Sequence, residues 1–168
     1  MSNDKPVVGV VVGSQSDMET MAKCFERLEA LGIAYEARVI SAHRTPDVAA
    51  EYAATASQRG LKVIIAAAGM SAALAGVITA GTTLPVIGVP MNSGPLQGID
   101  AALSTMQMPA GVPVACMAIG KAGAANAAVF AAEVLALSDD GLAGQLAQFR
   151  KDQAEAVRKA DAEVARKG

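Results

Sequence analysis

A chain of 168 residues has the size of a single domain with a sound core, so one active site per chain is expected. Hydrophobic residues make up 52% of it, but in short runs below the ~18 residues of a membrane span; with a net charge of −2 and scattered basic side chains, membrane and nucleic-acid partners are excluded. Two cysteines, Cys24 and Cys116, stand far apart without neighbouring ligand types, which argues against a zinc site or disulfide framework and reads as two buried, reduced thiols.

In chain order, Met1 to Pro6 are polar and show no signal-peptide pattern, which places the chain in the cytoplasm. Val7 to Val12 is a continuous apolar, β-branched run, the pattern of a strand buried on both faces. Gly13-Ser14-Gln15-Ser16-Asp17 follows. Met18, Met21, Ala22 and Phe25 then recur at helical spacing, with Ser16 and Glu19 placed as a capping box and Gly32 as the stop.

The unit repeats with Tyr35 to Ile40 as a strand, Ser41 to Thr45 as a loop and a helix from Pro46 to about Gln58. Thr45 suits the cap and Pro46 the first turn. Val63 to Ala67, Pro85 to Val89 and Val114 to Ala118 read as further buried strands. Between the first two, the Gly- and Ala-rich stretch Ala68 to Gly81 is predicted helical in its middle.

From Asp140 onward, Leu142, Leu146, Phe149, Ala156, Val157 and Ala160 form one apolar stripe on a charged helix that suits docking on a neighbouring subunit. The high Ala and Gly content also points to surface hidden in a homo-oligomer. Strands alternating with helices through short loops imply right-handed crossovers. The expected fold is α/β, a flavodoxin-like three-layer α/β/α sandwich around a central parallel sheet. It forms one domain over 1–168, with the core at 7–137 and the C-terminal helix at 140–166.

Ligands of open parallel sheets sit beyond the carboxyl ends of the strands, so the loops there are read together. Gly13 to Asp17 offers a glycine, two hydroxyls and free backbone N–H groups at a helix start, which suits a phosphate and equally suits a simple cap. Ser41-Ala42-His43-Arg44-Thr45-Pro46 sets the only imidazole of the chain beside a guanidinium. That pairing suits proton transfer on an anionic substrate, although such pairs also serve as surface caps.

Ala67 to Gly76 is small and almost uncharged, fitting either a flat ring or tight helix-on-sheet packing. Pro90 to Gly98 is rich in turn residues and is either a cover for the pocket, a bridge between subunits or an ordinary connection.

Taken in order, Gly-Ser-Gln-Ser-Asp at 13–17, Ser-Ala-His-Arg-Thr-Pro at 41–46, Pro-Val-Ile-Gly-Val-Pro at 85–90 and Gln-Met-Pro at 107–109 form a set. The Gly-Lys-Ala-Gly-Ala-Ala-Asn-Ala-Ala run at 120–128 extends it. The set resembles the 5-(carboxyamino)imidazole ribonucleotide mutase family over about Val7 to Leu137.

The resemblance implies purine synthesis by migration of a carboxylate from the exocyclic nitrogen of an imidazole ribonucleotide to ring carbon C4, with no metal or organic cofactor. His43 is then the general acid and base. Ser14, Ser16, Asp17, Ser41, Arg44, Gly69, Ser71 and Leu74 are the substrate-binding set, with Arg44 and the hydroxyl loop near the phosphate and Asp17 near the ribose. The resemblance also implies a homo-octamer with C-terminal helices reaching neighbours.

One departure stands out. Bacterial members commonly carry Ala-His-Leu-Pro-Gly where this chain has Ala72-Ala73-Leu74-Ala75-Gly76, so no role of that histidine passes to Ala73. A sister class that takes carbon dioxide directly shows Ser-Ala-His-Lys-Thr and then Gly-Arg-Ser-Asn. Arg44 follows the mutase pattern, while Gly69-Met70-Ser71-Ala72 lies between the two. Direct carboxylation is the first alternative, and a non-catalytic flavodoxin-like nucleotide-binding module is the second.

Overall fold

The structure, a computed structural model, describes residues 5–166. Met1 to Asp4, which carry part of the leader reading, lie outside the described residues. The chain divides into two compact units with the boundary between Ala131 and Ala132.

The first unit is built on a five-stranded, all-parallel sheet of β1 (Val8–Val12), β2 (Tyr35–Val39), β3 (Val63–Ala68), β4 (Val86–Pro90) and β5 (Ala115–Cys116). The strand order is β2-β1-β3-β4-β5. This is the flavodoxin-like arrangement, in which the chain reverses its direction of travel across the sheet between β1 and β3. Its helices, on both sides of the sheet, are α1 (Met18–Ala30), α2 (Pro46–Thr55), α3 (Leu74–Ala80), α4 (Ile99–Met106) and the start of α5 (Lys121–Ala136).

Burial explains why the central strands read as unbroken apolar runs. Every residue of β1 and β4 is buried, as are the first five of β3. At about 1.5–3 kcal/mol for each fully buried Val or Ile, these strands dominate the stability of the unit. A cluster of Val11, Ile40, Tyr52, Ile64, Leu74 and Ile78 joins the sheet to α2 and α3, with Ala42 and Val48 packed against it. Gly9 permits that approach, because a Cβ there would strike the Tyr52 hydroxyl and come within 2.9 Å of a Leu61 methyl. In α1, Met21, Cys24 and Leu28 line the buried face at helical spacing.

The second unit holds the end of α5 and α6 (Asp140–Ala165). Asp139 caps α6, its carboxylate accepting the Leu142 N–H at 3.0 Å. No helix among the described residues is long and apolar enough to cross a membrane.

Several local expectations are corrected. Ser16 and Glu19 do not form a capping box: Ser14 accepts the Ser16 N–H at 3.4 Å, a short 3-10 turn (Gln15–Asp17) precedes α1, and Glu19 is exposed beside Lys121. Thr45 precedes α2 but makes no side-chain cap. Helix α2 ends at Thr55 and passes into turns, and β5 is only two residues long. Cys24 is buried, whereas Cys116 is only half-buried. Of the C-terminal stripe, Leu142 and Leu146 are buried, Phe149 is half-buried, and Ala156, Val157 and Ala160 are exposed. Helices α4 and α5 lie in stretches for which the sequence predicts no element.

Candidate active site

The loops that follow β1, β2, β3 and β4 enclose one cleft of about 510 Å³ above the point where the chain changes direction. His43, Ser14, Ser16, Asp17, Ser41, Arg44, Gly69, Ser71 and Leu74 all lie on its wall. Residues as far apart in sequence as Ser14 and Leu74 thus meet because their strands are parallel, which brings their carboxyl ends to one edge.

After β1, Gly13 donates its N–H to the Ala67 carbonyl at 2.8 Å, which ties this loop to the end of β3. The Ser14 hydroxyl oxygen accepts from the Ser16 N–H at 3.4 Å and from the Ser16 hydroxyl at 2.9 Å. Its own proton stays available for a ligand oxygen. Asp17 is buried at 8% exposure. Burial pushes its carboxyl above the ordinary 3.8, pulled back in part by hydrogen bonds that the Ser14 backbone and the Ser16 side chain make to it.

After β2, the Ser41 hydroxyl accepts from the Arg44 backbone N–H at 3.2 Å and from Arg44 Nε at 3.4 Å. Arg44 Nη2 reaches the Gly13 carbonyl at 3.5 Å, so the guanidinium spans the first two loops. Its remaining N–H groups form a donor fork on the cleft wall, the geometry that carboxylate and phosphate groups prefer. His43 and Arg44 are both exposed.

After β3, the wall is nearly uncharged: Ala68, Gly69, Met70, Ser71, Ala72, Ala73 and Leu74. Gly69 has no room for a Cβ because the Ser93 side chain of the fourth loop occupies the space. Met70 takes a left-handed backbone with φ 57°, unusual for a residue with a side chain. Met70, the Ala72-Ala73 pair and Ser93 line the cleft beyond the site residues expected from sequence. Met70 offers no signal of its strain, and Ser93 sits in a stretch readable only as a turn-rich loop.

Elsewhere, burial raises the Cys24 thiol to about 12, leaving it inert at neutral pH. Among the described residues no group of three or more His, Cys, Asp or Glu could hold a metal ion. The cleft therefore presents one cation fork, several hydroxyl and backbone donors, one buried carboxylate and one imidazole. Such a set has the chemistry to bind a small polyoxygenated anion and to move a proton on it.

Fold and site together define an α/β enzyme that works at the carboxyl ends of its parallel strands. The chain belongs to the AIR carboxylase family, whose model matches residues 7–156. It is similar to the N5-carboxyaminoimidazole ribonucleotide mutases of Bacillus subtilis, at 52% identity over 91% of this chain and 94% of that one, and of Brucella melitensis, at 55% identity over 89% and 93%. Among solved structures, that of Treponema denticola PurE superposes with a TM-score of 0.81 at 30% identity, over 94% of this chain and 98% of that one.

Proposed function

We propose that the chain converts 5-(carboxyamino)imidazole ribonucleotide into 4-carboxy-5-aminoimidazole ribonucleotide in purine synthesis, with His43 carrying the proton. The observation that bears most weight is the meeting of the sole imidazole, the Arg44 fork and the hydroxyl loop on one cleft. The identity of the mutase relatives supports the choice of substrate.

In this reading the Arg44 fork and the Ser14 and Ser16 hydroxyls take the phosphate, the Asp17 carboxylate accepts from the ribose hydroxyls, and Ser41 holds Arg44. Gly69, Ser71 and Leu74 bound the flat ring. Imidazolium His43 protonates the carbamate nitrogen and the N–CO2 bond breaks, releasing carbon dioxide inside the cleft. The electron-rich C4 attacks it, forming the new C–C bond, and neutral His43 removes the C4 proton to restore aromaticity. The proton lent in the first step returns in the last, so the cycle balances without a co-reactant. Confinement of carbon dioxide beside C4 supplies the advantage of proximity.

The same reading takes the chain as one functional domain, cytoplasmic, whose α/β core carries the site. The C-terminal helix serves as an arm between the subunits of a homo-octamer. Val157 and Val164 support the arm, being large apolar side chains 70% and 72% exposed on α6. The deciding experiment supplies each candidate substrate separately. Turnover of the carboxyamino compound without bicarbonate is expected. Turnover only of aminoimidazole ribonucleotide with bicarbonate would assign direct carboxylation instead.

A further inference from the structure

Among the described residues the His43 ring has no hydrogen-bond or ion-pair partner. Its place in the cleft is set by the backbone that carries it, and that backbone is closed on itself. The Thr45 hydroxyl donates to the Ser41 carbonyl at 3.0 Å and accepts the Ser41 N–H at 3.1 Å, while the Thr45 N–H donates to the same carbonyl at 2.8 Å. One side chain thereby satisfies both backbone groups of Ser41. Residues 42–44 form the arch between the two closing residues, with His43 at its apex.

We propose that Thr45 is a positioning residue for the proton transfer: its hydroxyl locks the arch that aims an otherwise unsupported imidazole. A threonine ahead of Pro46 invites the reading of a helix cap, yet the side chain turns away from α2 and makes no cap bond. Ala42, packed on the core cluster, anchors one foot of the arch, and the Thr45 hydroxyl fastens the other. Ile40, buried and donating its N–H to the Val12 carbonyl at 2.9 Å, fixes the chain where it leaves the edge strand β2, so beyond that point the arch over residues 42–44 depends on the bonds that close it onto Ser41. Loss of the hydroxyl leaves the Ser41 N–H without its partner and frees the arch to rock, and displacement of a reacting group by ~1 Å is worth up to about 100-fold in rate.

This rests on His43 as the proton carrier, and the test separates the two. Thr45→Val, Thr45→Ala and Thr45→Ser are compared by steady-state kinetics and by the resonance of histidine labelled with 13C at Cε1, which is unambiguous because His43 is the only histidine. Thr45→Val is expected to lower kcat about tenfold or more with KM within about twofold of native, the signature of lost aim rather than lost binding. Its imidazole signal should shift and broaden, and Thr45→Ser should restore both kcat and signal.

If circular dichroism shows that the valine variant is unfolded, Thr45→Ala against Thr45→Ser supplies the same contrast. An imidazole signal in Thr45→Val that matches the native one would overturn the proposal, as would a serine variant no better than valine. Turnover retained in His43→Asn would instead sink the proton-carrier reading and leave the resonance comparison to judge the arch.

Discussion

β1 has a hydrogen-bonded neighbour on each side and all five of its residues are buried, whereas β2 pairs only with β1 and exposes Ala37, Arg38 and Val39. The loops that leave these two strands face the same cleft with opposite chemistry. The β1 loop stands on rigid, dry scaffolding and presents hydroxyls, backbone donors and the buried Asp17. The β2 loop stands on the sheet edge and presents exposed His43 and Arg44, held mainly by bonds internal to the loop. Under the proposed function the contrast is a division of labour: the buried carboxylate meant for the ribose hydroxyls stands over the fully buried strand, and the groups meant to move a proton and to bring the cation to the phosphate stand at the exposed edge, with the Ser14 and Ser16 hydroxyls joining Arg44 at the anion.

The division is tested most severely at the β2 loop. His43→Asn keeps the size and a donor of the ring but cannot cycle a proton near neutral pH, and a positioned general acid–base contributes roughly 10²–10⁴-fold. Turnover should fall by about that factor while substrate still binds, as checked by single-turnover kinetics beside calorimetric titration. Arg44→Ala should act on the other coordinate. Removal of a charge-assisted fork is expected to weaken binding roughly 10- to 100-fold, read as a rise in the dissociation constant. An unchanged constant would remove Arg44 from the phosphate site.

Stability sharpens the same comparison from beneath the loops. Val10 in β1 is wholly buried and Val39 in β2 is 53% exposed. Val10→Ala deletes packed methyl groups inside the sheet and should cost about 2–3 kcal/mol in urea unfolding, whereas Val39→Ala should stay within about 0.5 kcal/mol. Equal losses would mean that the edge strand is as firmly held as the central one, and the division of labour would lose its mechanical basis.

Much of this arrangement was legible in the chain before any coordinate. The apolar runs at 7–12, 63–67 and 85–89 announce strands buried on both faces, and the resemblance of four ordered motifs brought the separate loops into one site. What stayed hidden was set by contacts distant in sequence. The two-residue β5 depends on pairing with β4, which no local pattern records. Ser16 and Glu19 have the spacing of a capping box, but the chain enters α1 through a 3-10 turn, so Ser14 takes the Ser16 N–H instead. Thr45 looks like a cap because its helix follows, and only the closure of the arch onto Ser41 shows where its hydroxyl goes. Ser93 joins the wall through the close approach of two loops at Gly69, which depends on β3 and β4 lying side by side.

Asp17 offers the smallest and most discriminating test, because there the needs of the site oppose those of the fold. Burial raises the folded carboxyl above 3.8, while the unfolded chain titrates near that ordinary value. Below 3.8 both states hold the proton and the burial carries no ionic penalty. As pH rises from 3.8 through the raised folded value, the unfolded state releases its proton first, so stability declines across that interval and levels off above it. Asp17→Asn removes the ionisable group. It should therefore unfold at higher urea than the native protein at pH 7, with the advantage shrinking to nothing near pH 3. The same substitution replaces an acceptor oxygen by a donor where the proposed function has the ribose hydroxyls received, so substrate affinity should fall as stability rises. A variant that binds substrate as tightly as the native chain would place the ribose elsewhere. One that gains no stability at neutral pH would show that the hydrogen bonds from Ser14 and Ser16 already offset the burial of the charge.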